Sequence, residues 1–275
     1  MTRTRRIVLG LVPAAGLLGG CSIADQIDPN AKGDGLIELL LSPKPVTGTV
    51  ADAQDPYDAD KRTRGTLGLS MTTAGNNPVF VALYATNAKD SEPSVRAAAA
   101  RALGRHGGPE QASLLIELLR DADSGVREEA CRALQRIYDP TAVDPLLAAT
   151  REPEGAKQGE EESKVRAQAA LALAQYRERR VVQGLIGALS DASLSVNRNA
   201  LTALRTLTGQ DLGYDQRRWL AWAKDTTEPF AGAVVFQFPT YSRAPLFYER
   251  LPLPFITPPP NEPSGPPAGI PLGPR

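Results

Sequence analysis

The sequence predicts an all-α fold, a right-handed α-solenoid of about five helical hairpins, and three observations support this prediction. A pattern of small and branched apolar residues repeats along the middle of the chain. Within each copy, the apolar positions fall on one face of an α-helix. Aromatic residues form only 5% of the chain although 42% of it is hydrophobic, and a core poor in aromatic residues favours closely packed helices over a β-sandwich.

The N-terminal residues have the composition of a secretory signal. Arg3, Arg5 and Arg6 precede an uncharged, mostly apolar run at residues 7–18, and residues 1–20 contain no acid. A helix that spans a bilayer needs about twenty residues, so this run is too short to be one. We therefore expect residues 1–20 to be a signal peptide.

The residues that follow the apolar run indicate lipidation. The segment Leu18-Gly19-Gly20-Cys21 resembles the bacterial lipobox. This resemblance implies that the thiol of Cys21 receives a diacylglycerol and that Cys21 becomes the first mature residue, while an ordinary secretory peptide is the alternative. Ser22, rather than Asp, follows the cysteine, which in bacteria with two membranes implies the outer membrane. The expected location is the cell envelope.

Residues 21–54 are predicted to be a tether with a short helix at residues 36–41. With Cys21 acylated, Cys131 is the one cysteine left, so no intramolecular disulfide can form. Stability must then come from packing.

The array of repeats occupies residues 55–228. Four clear copies follow one another at spacings of 31, 39 and 31 residues, and a weaker copy lies upstream. Each first helix is followed by a second run of apolar residues, so each unit is a helical hairpin that buries its apolar face against its neighbours. The matching positions are Val95, Arg96, Ala99, Ala102 and Leu103; Val126, Arg127, Ala130, Ala133 and Leu134; Val165, Arg166, Ala169, Ala172 and Leu173; Val196, Ala200, Ala203 and Leu204; and, upstream, Arg62 (which matches Arg96), Gly65, Gly68 and Leu69.

These units resemble HEAT-like repeats, including those of the phycobilisome-lyase type. An acidic residue stands six positions before an arginine in three copies, and Asn197 replaces the arginine in the fourth. The resemblance implies a structural ladder of hydrogen bonds between consecutive units, which ends at the fourth copy. A catalytic acid with an anion clamp is the alternative, but regular recurrence is unlike an active site. The ladder residues are Asp90, Arg96, Asp121, Arg127, Glu160, Arg166 and Asp191.

Two departures from the pattern are candidate contact sites for a partner. The longest spacing contains an acidic insertion at residues 152–163, where Glu160, Glu161 and Glu162 either form a solvated loop or contact a basic partner. The last unit carries Tyr214, Trp219 and Trp222. These aromatic residues either pack beneath a terminal cap or form a binding patch.

Residues 229–275 form a tail with thirteen of the 24 prolines. This density of proline excludes a continuous helix. The tail also holds seven of the fifteen aromatic residues, so we expect residues 230–256 to dock on the solenoid or on another protein. Beyond residue 257 we expect mobile polyproline II.

No sequence pattern indicates catalysis. His106 is the only histidine, and neither it nor Cys131 lies in a recognised motif, so we expect no enzyme activity, metal or cofactor.

The formal net charge is zero, which argues against nucleic acid as a partner. The sequence predicts a membrane-tethered scaffold that binds another exported or envelope protein. A structural envelope component acting through its tail, and an accessory subunit of a surface enzyme, are the alternatives.

Overall fold

The computed structural model describes residues 46–152, 160–240 and 264–271. These residues belong to one compact unit, Lys44–Pro245 with Pro259–Arg275. The predicted signal peptide, Cys21, Ser22 and the helix predicted at residues 36–41 lie outside the described residues. None of the described helices is both long enough and apolar enough to cross a membrane.

The described residues form eleven α-helices. They are α1 (Val46–Ala53), α2 (Ala59–Ser70), α3 (Pro78–Asn87), α4 (Pro93–His106), α5 (Ala112–Leu118), α6 (Ser124–Leu134), α7 (Val143–Ala149), α8 (Ser163–Ala172), α9 (Arg179–Ala188), α10 (Leu194–Thr208) and α11 (Gln216–Asp225). Short 3₁₀ turns at Pro109–Gln111, Pro140–Ala142 and Leu173–Gln175 lie between the two helices of the middle hairpins.

Several helices begin at residues whose side chains cap the free N–H groups of the first turn. Asp58 accepts from the N–H of Lys61 at 3.0 Å, and Asp123 accepts from that of Val126 at 3.1 Å. Such caps stabilise a helix by about 0.5–2 kcal/mol. Proline at the first position of α3 and α4 adds to this effect, since its fixed φ suits a helix start.

The helices pair into five hairpins, α2–α3, α4–α5, α6–α7, α8–α9 and α10–α11, which stack one after another. The first helices contact each other in sequence, and each second helix packs on the first helix of the next unit where one follows. The predicted apolar stripe is buried, as in α4, where Val95, Ala99, Ala102 and Leu103 have no exposed surface. The predicted all-α solenoid is thereby confirmed.

Small residues allow the first helices to approach closely. A Cβ atom on Gly104 would lie 2.7 Å from Cα of Ala133, so α4 and α6 touch there through their backbones. In the weak first copy, a Cβ on Gly65 would lie 2.2 Å from the backbone N of Ala53 in α1. Glycine replaces alanine in that copy because α1 occupies the space.

The tail folds back onto the solenoid. Val234 donates its N–H to the carbonyl of Thr206 at 2.9 Å, and Phe236 is buried. Farther along, Ala268 forms a parallel bridge with Ile137: its N–H donates to the Arg136 carbonyl at 2.7 Å, and its own carbonyl accepts from the Tyr138 N–H at 2.8 Å. Apart from this bridge, the described segments contain no β-structure.

These contacts confirm the expected docking for residues 230–240 and correct the expectation for the end of the tail. Residues 264–271 are engaged with the solenoid, and Gly269 has a φ of +82°, which is outside the polyproline II region. A Cβ on Gly269 would lie 2.6 Å from Cγ of Pro109, so the tail reaches the second hairpin. The sequence could not show this docking because it depends on backbone pairing between distant residues.

Candidate interaction surfaces

An arginine of each of the first four units binds the acidic residue of the next unit with two hydrogen bonds. Arg62 contacts Asp90 (2.7 and 2.8 Å), Arg96 contacts Asp121 (2.7 and 2.7 Å), Arg127 contacts Glu160 (2.6 and 2.8 Å), and Arg166 contacts Asp191 (2.7 and 3.1 Å). We call this series the ladder. Its pairs therefore join an arginine to the acid of the following unit, and not to the acid six residues before it.

Each ladder arginine also holds the turn that precedes its own helix. Nη1 of Arg127 donates to the carbonyls of Asp121 (2.8 Å) and Ala122 (3.0 Å). The ladder acids in turn accept from backbone: Asp121 accepts from the N–H of Asp123 at 2.9 Å. One arginine thus connects two consecutive turns, which is a structural function.

The ladder lowers the pKa of the carboxyl groups of Asp90, Asp121 and Glu160. For Asp90, the hydrogen bond from Arg62 is the main cause of a pKa below the usual value. For Asp121, burial raises the pKa, but the hydrogen bonds from Arg96 and from backbone outweigh this effect and the net pKa is lowered. These acids are therefore ionised partners and not proton donors at neutral pH.

The ladder ends at Asp191. Asn197 occupies the position of the next arginine, and its buried Oδ1 has no hydrogen-bond partner among the described residues. An asparagine side chain is too short to reach a further unit.

The second helices of the middle units form a face with two adjacent grooves, which we call the second-helix face. One groove of about 640 Å³ lies between α5 and α7, and one of about 790 Å³ lies between α7 and α9. The exposed Asp144 lines both. Further lining residues are Leu119, Arg120, Pro145 and Glu161 in the first groove, and Arg151, Glu152, Arg180, Gln183 and Gly187 in the second.

Charges of both signs line the second-helix face. Arg180 pairs with Asp144 across the second groove and with Glu178 at 2.5 Å. Arg180 and Asp144 are exposed, so breaking their ion pair costs little free energy, and each can instead pair with a charged group of another molecule.

The aromatic residues of the last unit are divided between core and surface. Trp219 is fully buried and donates its Nε1–H to the Gly213 carbonyl at 2.8 Å, so it is not available to a partner. Trp222 packs edge-to-face against it at 5.7 Å between ring centroids and is partly exposed. Tyr214 is 51% exposed, and these two residues remain candidates for contact.

Helix α11, which caps the stack, begins later in its unit than a repeat spacing of 31 residues implies. A spacing of 31 residues would align Leu185 of α9 with Gln216. Counted from the start of each helix, however, Leu185 is the seventh residue of α9 and corresponds to Trp222, the seventh residue of α11. The shift arises mainly because α10 has 15 residues whereas α8 has 10. The polar outer side expected of a cap is present in Arg217 and Lys224, which are exposed.

The three glutamates of the insertion, Glu160, Glu161 and Glu162, also differ in their exposure to solvent. Glu160 is only 7% exposed because its carboxylate belongs to the ladder, and it is therefore not a partner contact. Glu161 and Glu162 are exposed and remain candidates. Residues 153–159 lie outside the described part of the chain.

His106 and Cys131 have structural surroundings. Nε2 of His106 lies 2.6 Å from the carbonyl of Ser70, the last residue of α2, and burial lowers its pKa. Cys131 is fully buried, which raises the pKa of its thiol and suppresses the reactive thiolate. Within the described ranges, no group of His, Cys, Asp or Glu side chains is arranged to hold a metal ion.

The sequence analysis missed a third groove, which lies on the side of the first helices. Its volume is about 580 Å³, and we call it the arginine groove because four arginines line it: Arg101, Arg105, Arg132 and Arg136. The available signal was their recurrence at the repeat spacing, since 101 and 132, like 105 and 136, are 31 residues apart.

The stacked hairpins and their ladder place the chain among the α-solenoids. Residues 81–158 match the family of HEAT repeats, and residues 165–191 match the PBS lyase HEAT-like repeat. These two stretches of the chain are therefore similar to HEAT repeats.

Solved structures with some likeness to the chain are repeat proteins and an engineered protein. A designed armadillo repeat protein, YIII(Dq)4CqI, is 18% identical with a TM-score of 0.46, and the match covers 65% of this chain and 88% of that one. A structure of the CpcE–CpcF complex of phycocyanin lyase from Nostoc sp. is 19% identical with a TM-score of 0.45, covering 58% and 99%. An engineered protein is 19% identical with a TM-score of 0.46, covering 65% and 85%. In the comparison with curated proteins, none matches this chain.

Proposed function

We propose that this chain is an exported, lipid-anchored, non-enzymatic scaffold that binds another envelope protein through the second-helix face. The observation that carries the proposal is the pair of adjacent open grooves across α5, α7 and α9. Consecutive grooves on a stack of repeats form an extended surface, which suits a long contact with another protein.

The position of the tail favours the solenoid over the tail as the binding element. The described tail segments bind within the chain, through Val234, Phe236 and Ala268. Groups that are occupied in this way are less available to neighbouring molecules. A structural component acting through the tail is therefore a secondary hypothesis. An accessory subunit of a surface enzyme is a further alternative, which the position of the tail does not address.

A bulky substitution in the groove tests the proposed surface. A Cβ on Gly187 would meet no atom within 4 Å, so Gly187→Arg fills the second groove without disturbing the core. Thr202→Arg, at an exposed position of α10, is the matched control. We expect crosslinking in the native envelope to lose its main product with Gly187→Arg and to keep it with Thr202→Arg. An unchanged product with both variants would contradict the proposed surface.

The two cysteines provide a test of the proposed anchoring. Cys21→Ala removes the residue that is proposed to carry the lipid. We expect this variant to stay uncleaved or to be released from membranes, because stable attachment needs more than one acyl chain. Cys131→Ala is the control, since this buried side chain can contribute only to packing. Membrane fractionation and electrophoretic mobility are the measurements. A Cys21→Ala protein that behaves like the Cys131→Ala protein would refute lipidation.

A further inference from the structure

Three consecutive units carry a basic residue at the same place, two positions after the end of the second helix. Lys89 follows α3, Arg120 follows α5 and Arg151 follows α7, and all three are exposed. In each case the backbone N–H of the basic residue donates to the carbonyl three positions earlier, at 3.0, 3.0 and 3.3 Å. A helix dipole favours a basic residue anywhere near the C-terminal end, but here one position of equivalent turns is used three times. We call these residues the basic row.

The ladder fixes the spacing of the basic row. Lys89 and Arg120 each directly precede a ladder acid in sequence, and each of these acids is bound to the unit before it. After Arg151 the chain has its insertion, but the N–H of Glu160 donates to the Arg151 carbonyl at 2.7 Å. This bond keeps Arg151 beside the ladder acid of its turn. Because stacked helices lie about 8–10 Å apart, neighbouring cations of the row are separated by roughly the same distance.

The side chains of the basic row form no ion pair or hydrogen bond with the residues that the structure describes. The ladder acids next to Lys89 and Arg120 are bound by ladder arginines through both carboxylate oxygens. Glu152 lines the second groove with Arg151, but Arg166 binds its carboxylate at 2.9 Å. Other exposed acids close in sequence or in the first groove, which are not paired with the row, are Glu92, Glu117 and Glu161. A carboxylate of another molecule can therefore bind these cations without displacing a partner.

The charge and spacing of the basic row indicate an acidic peptide in the polyproline II conformation. Such a helix has three residues per turn and rises about 3.1 Å per residue, so every third side chain recurs on one face at about 9 Å. This distance matches the step of the row. A β-strand, whose side chains recur on one face at about 7 Å, fits the step less well.

The first groove offers such a peptide an apolar contact beside the cations. Pro145, Ala148 and Ala149 line this groove and are half-buried. They belong to α7, the helix that ends before Arg151, and Arg120 lines the same groove. Apolar residues between the acids of the peptide can pack on this surface while the carboxylates bind the row, and arginine binds a carboxylate through paired hydrogen bonds.

We propose that the basic row binds an acidic segment of a partner protein, in the polyproline II conformation and with an acidic residue at every third position. This inference rests on the proposed function, because it names the chemistry of a segment that the second-helix face binds. The two can fail separately. If crosslinking in the envelope depends on Gly187 but the acidic peptide does not bind, this inference alone is wrong.

Fluorescence anisotropy of the purified full chain with a labelled peptide of four Glu-Pro-Pro repeats tests the site. We expect saturable binding that weakens with salt, and that is at least fivefold tighter than binding of a peptide of the same composition with its glutamates in one block. The double variant Arg120→Gln/Arg151→Gln should bind the periodic peptide at least tenfold more weakly. The control Arg64→Gln/Arg198→Gln removes the same charge from exposed positions of α2 and α10 and should bind like the wild type.

A variant that removes a competing acid gives a result in the opposite direction. Glu161→Gln should strengthen binding of the periodic peptide about twofold, which misfolding of a variant cannot imitate. Equal binding of the periodic and block peptides would overturn the proposal, as would equal losses in the double variant and its control. Binding to phosphatidylglycerol vesicles that depends on Arg120 and Arg151, without binding of the peptide, would also overturn it.

Discussion

Removing the arginine of the most buried ladder pair should destabilise the protein far more than removing an exposed arginine. The side chains of Arg166 and Asp191 are only 5% and 3% exposed. Arg166→Ala removes two hydrogen bonds to Asp191, one to Glu152 and two to the carbonyls of Glu160 and Glu161. It leaves the Asp191 carboxylate buried without its arginine partner.

The expected loss of unfolding free energy follows from these contacts. A hydrogen bond to a charged group contributes about 1.5–3 kcal/mol, and losing one partner of a buried ion pair costs about 3–5 kcal/mol in total. We expect the free energy of unfolding to fall by about 3–5 kcal/mol with Arg166→Ala. Arg180→Ala breaks an exposed pair with Asp144 and should cost about 0.2–1 kcal/mol.

Urea denaturation followed by circular dichroism measures both variants. Adding Asp191→Asn to Arg166→Ala should recover part of the loss, because the unpaired charge is then absent. If Arg166→Ala costs no more than Arg180→Ala, the ladder does not stabilise the stack and the reasoning is wrong.

Three further predictions concern pH and glycine. Asp90 has a folded pKa below its unfolded value of about 3.9, so its contribution to stability is complete above that value and is lost as pH falls through the lower folded pKa. Asp90→Asn should therefore make the fall of the unfolding free energy below about pH 4 less steep. Gly104→Ala should destabilise the stack by about 1–3 kcal/mol, whereas Gly187→Ala, which meets no atom, should stabilise it by about 0.5–1 kcal/mol; melting temperatures that move in the same direction would contradict this. Gly209 and Gly213 share a positive φ (+70° and +67°), but only a Cβ on Gly209 would meet the tail, at 2.4 Å; hydrogen exchange of the tail amides should therefore rise with Gly209→Ala and not with Gly213→Ala.

The core was predictable because its chemistry is local and repeated. Alanine at Ala99 and Ala102, with equivalents in the next three units, fixes both the helix face and the close approach of the helices. A ladder of hydrogen bonds between consecutive units was expected from the resemblance to HEAT-like repeats, and the structure adds that Arg62 of the weak first copy takes part in it. Asp90 is thus held by Arg62.

The sites were less predictable because they depend on loop length and burial. Trp219 is a core residue whose indole N–H donates to the Gly213 carbonyl, and repeat spacing does not indicate this contact. The sequence placed Glu160 both in the ladder and among the candidate partner contacts, and its burial decides in favour of the ladder. The arginine groove requires two helices and the returning tail, and a tail rich in proline carries no periodic signal of where it docks.

The returning tail also changes how this array is expected to lose its structure. In a stack held only by nearest neighbours, the terminal hairpins can fray singly. Here Ala268 is bonded to Arg136 and Tyr138 in the third hairpin, and Gly269 lies against Pro109 in the second. The C-terminal end is thus fastened near the middle of the array, so the second and third hairpins share a contact that is not between neighbouring helices, and neither can unfold without releasing it.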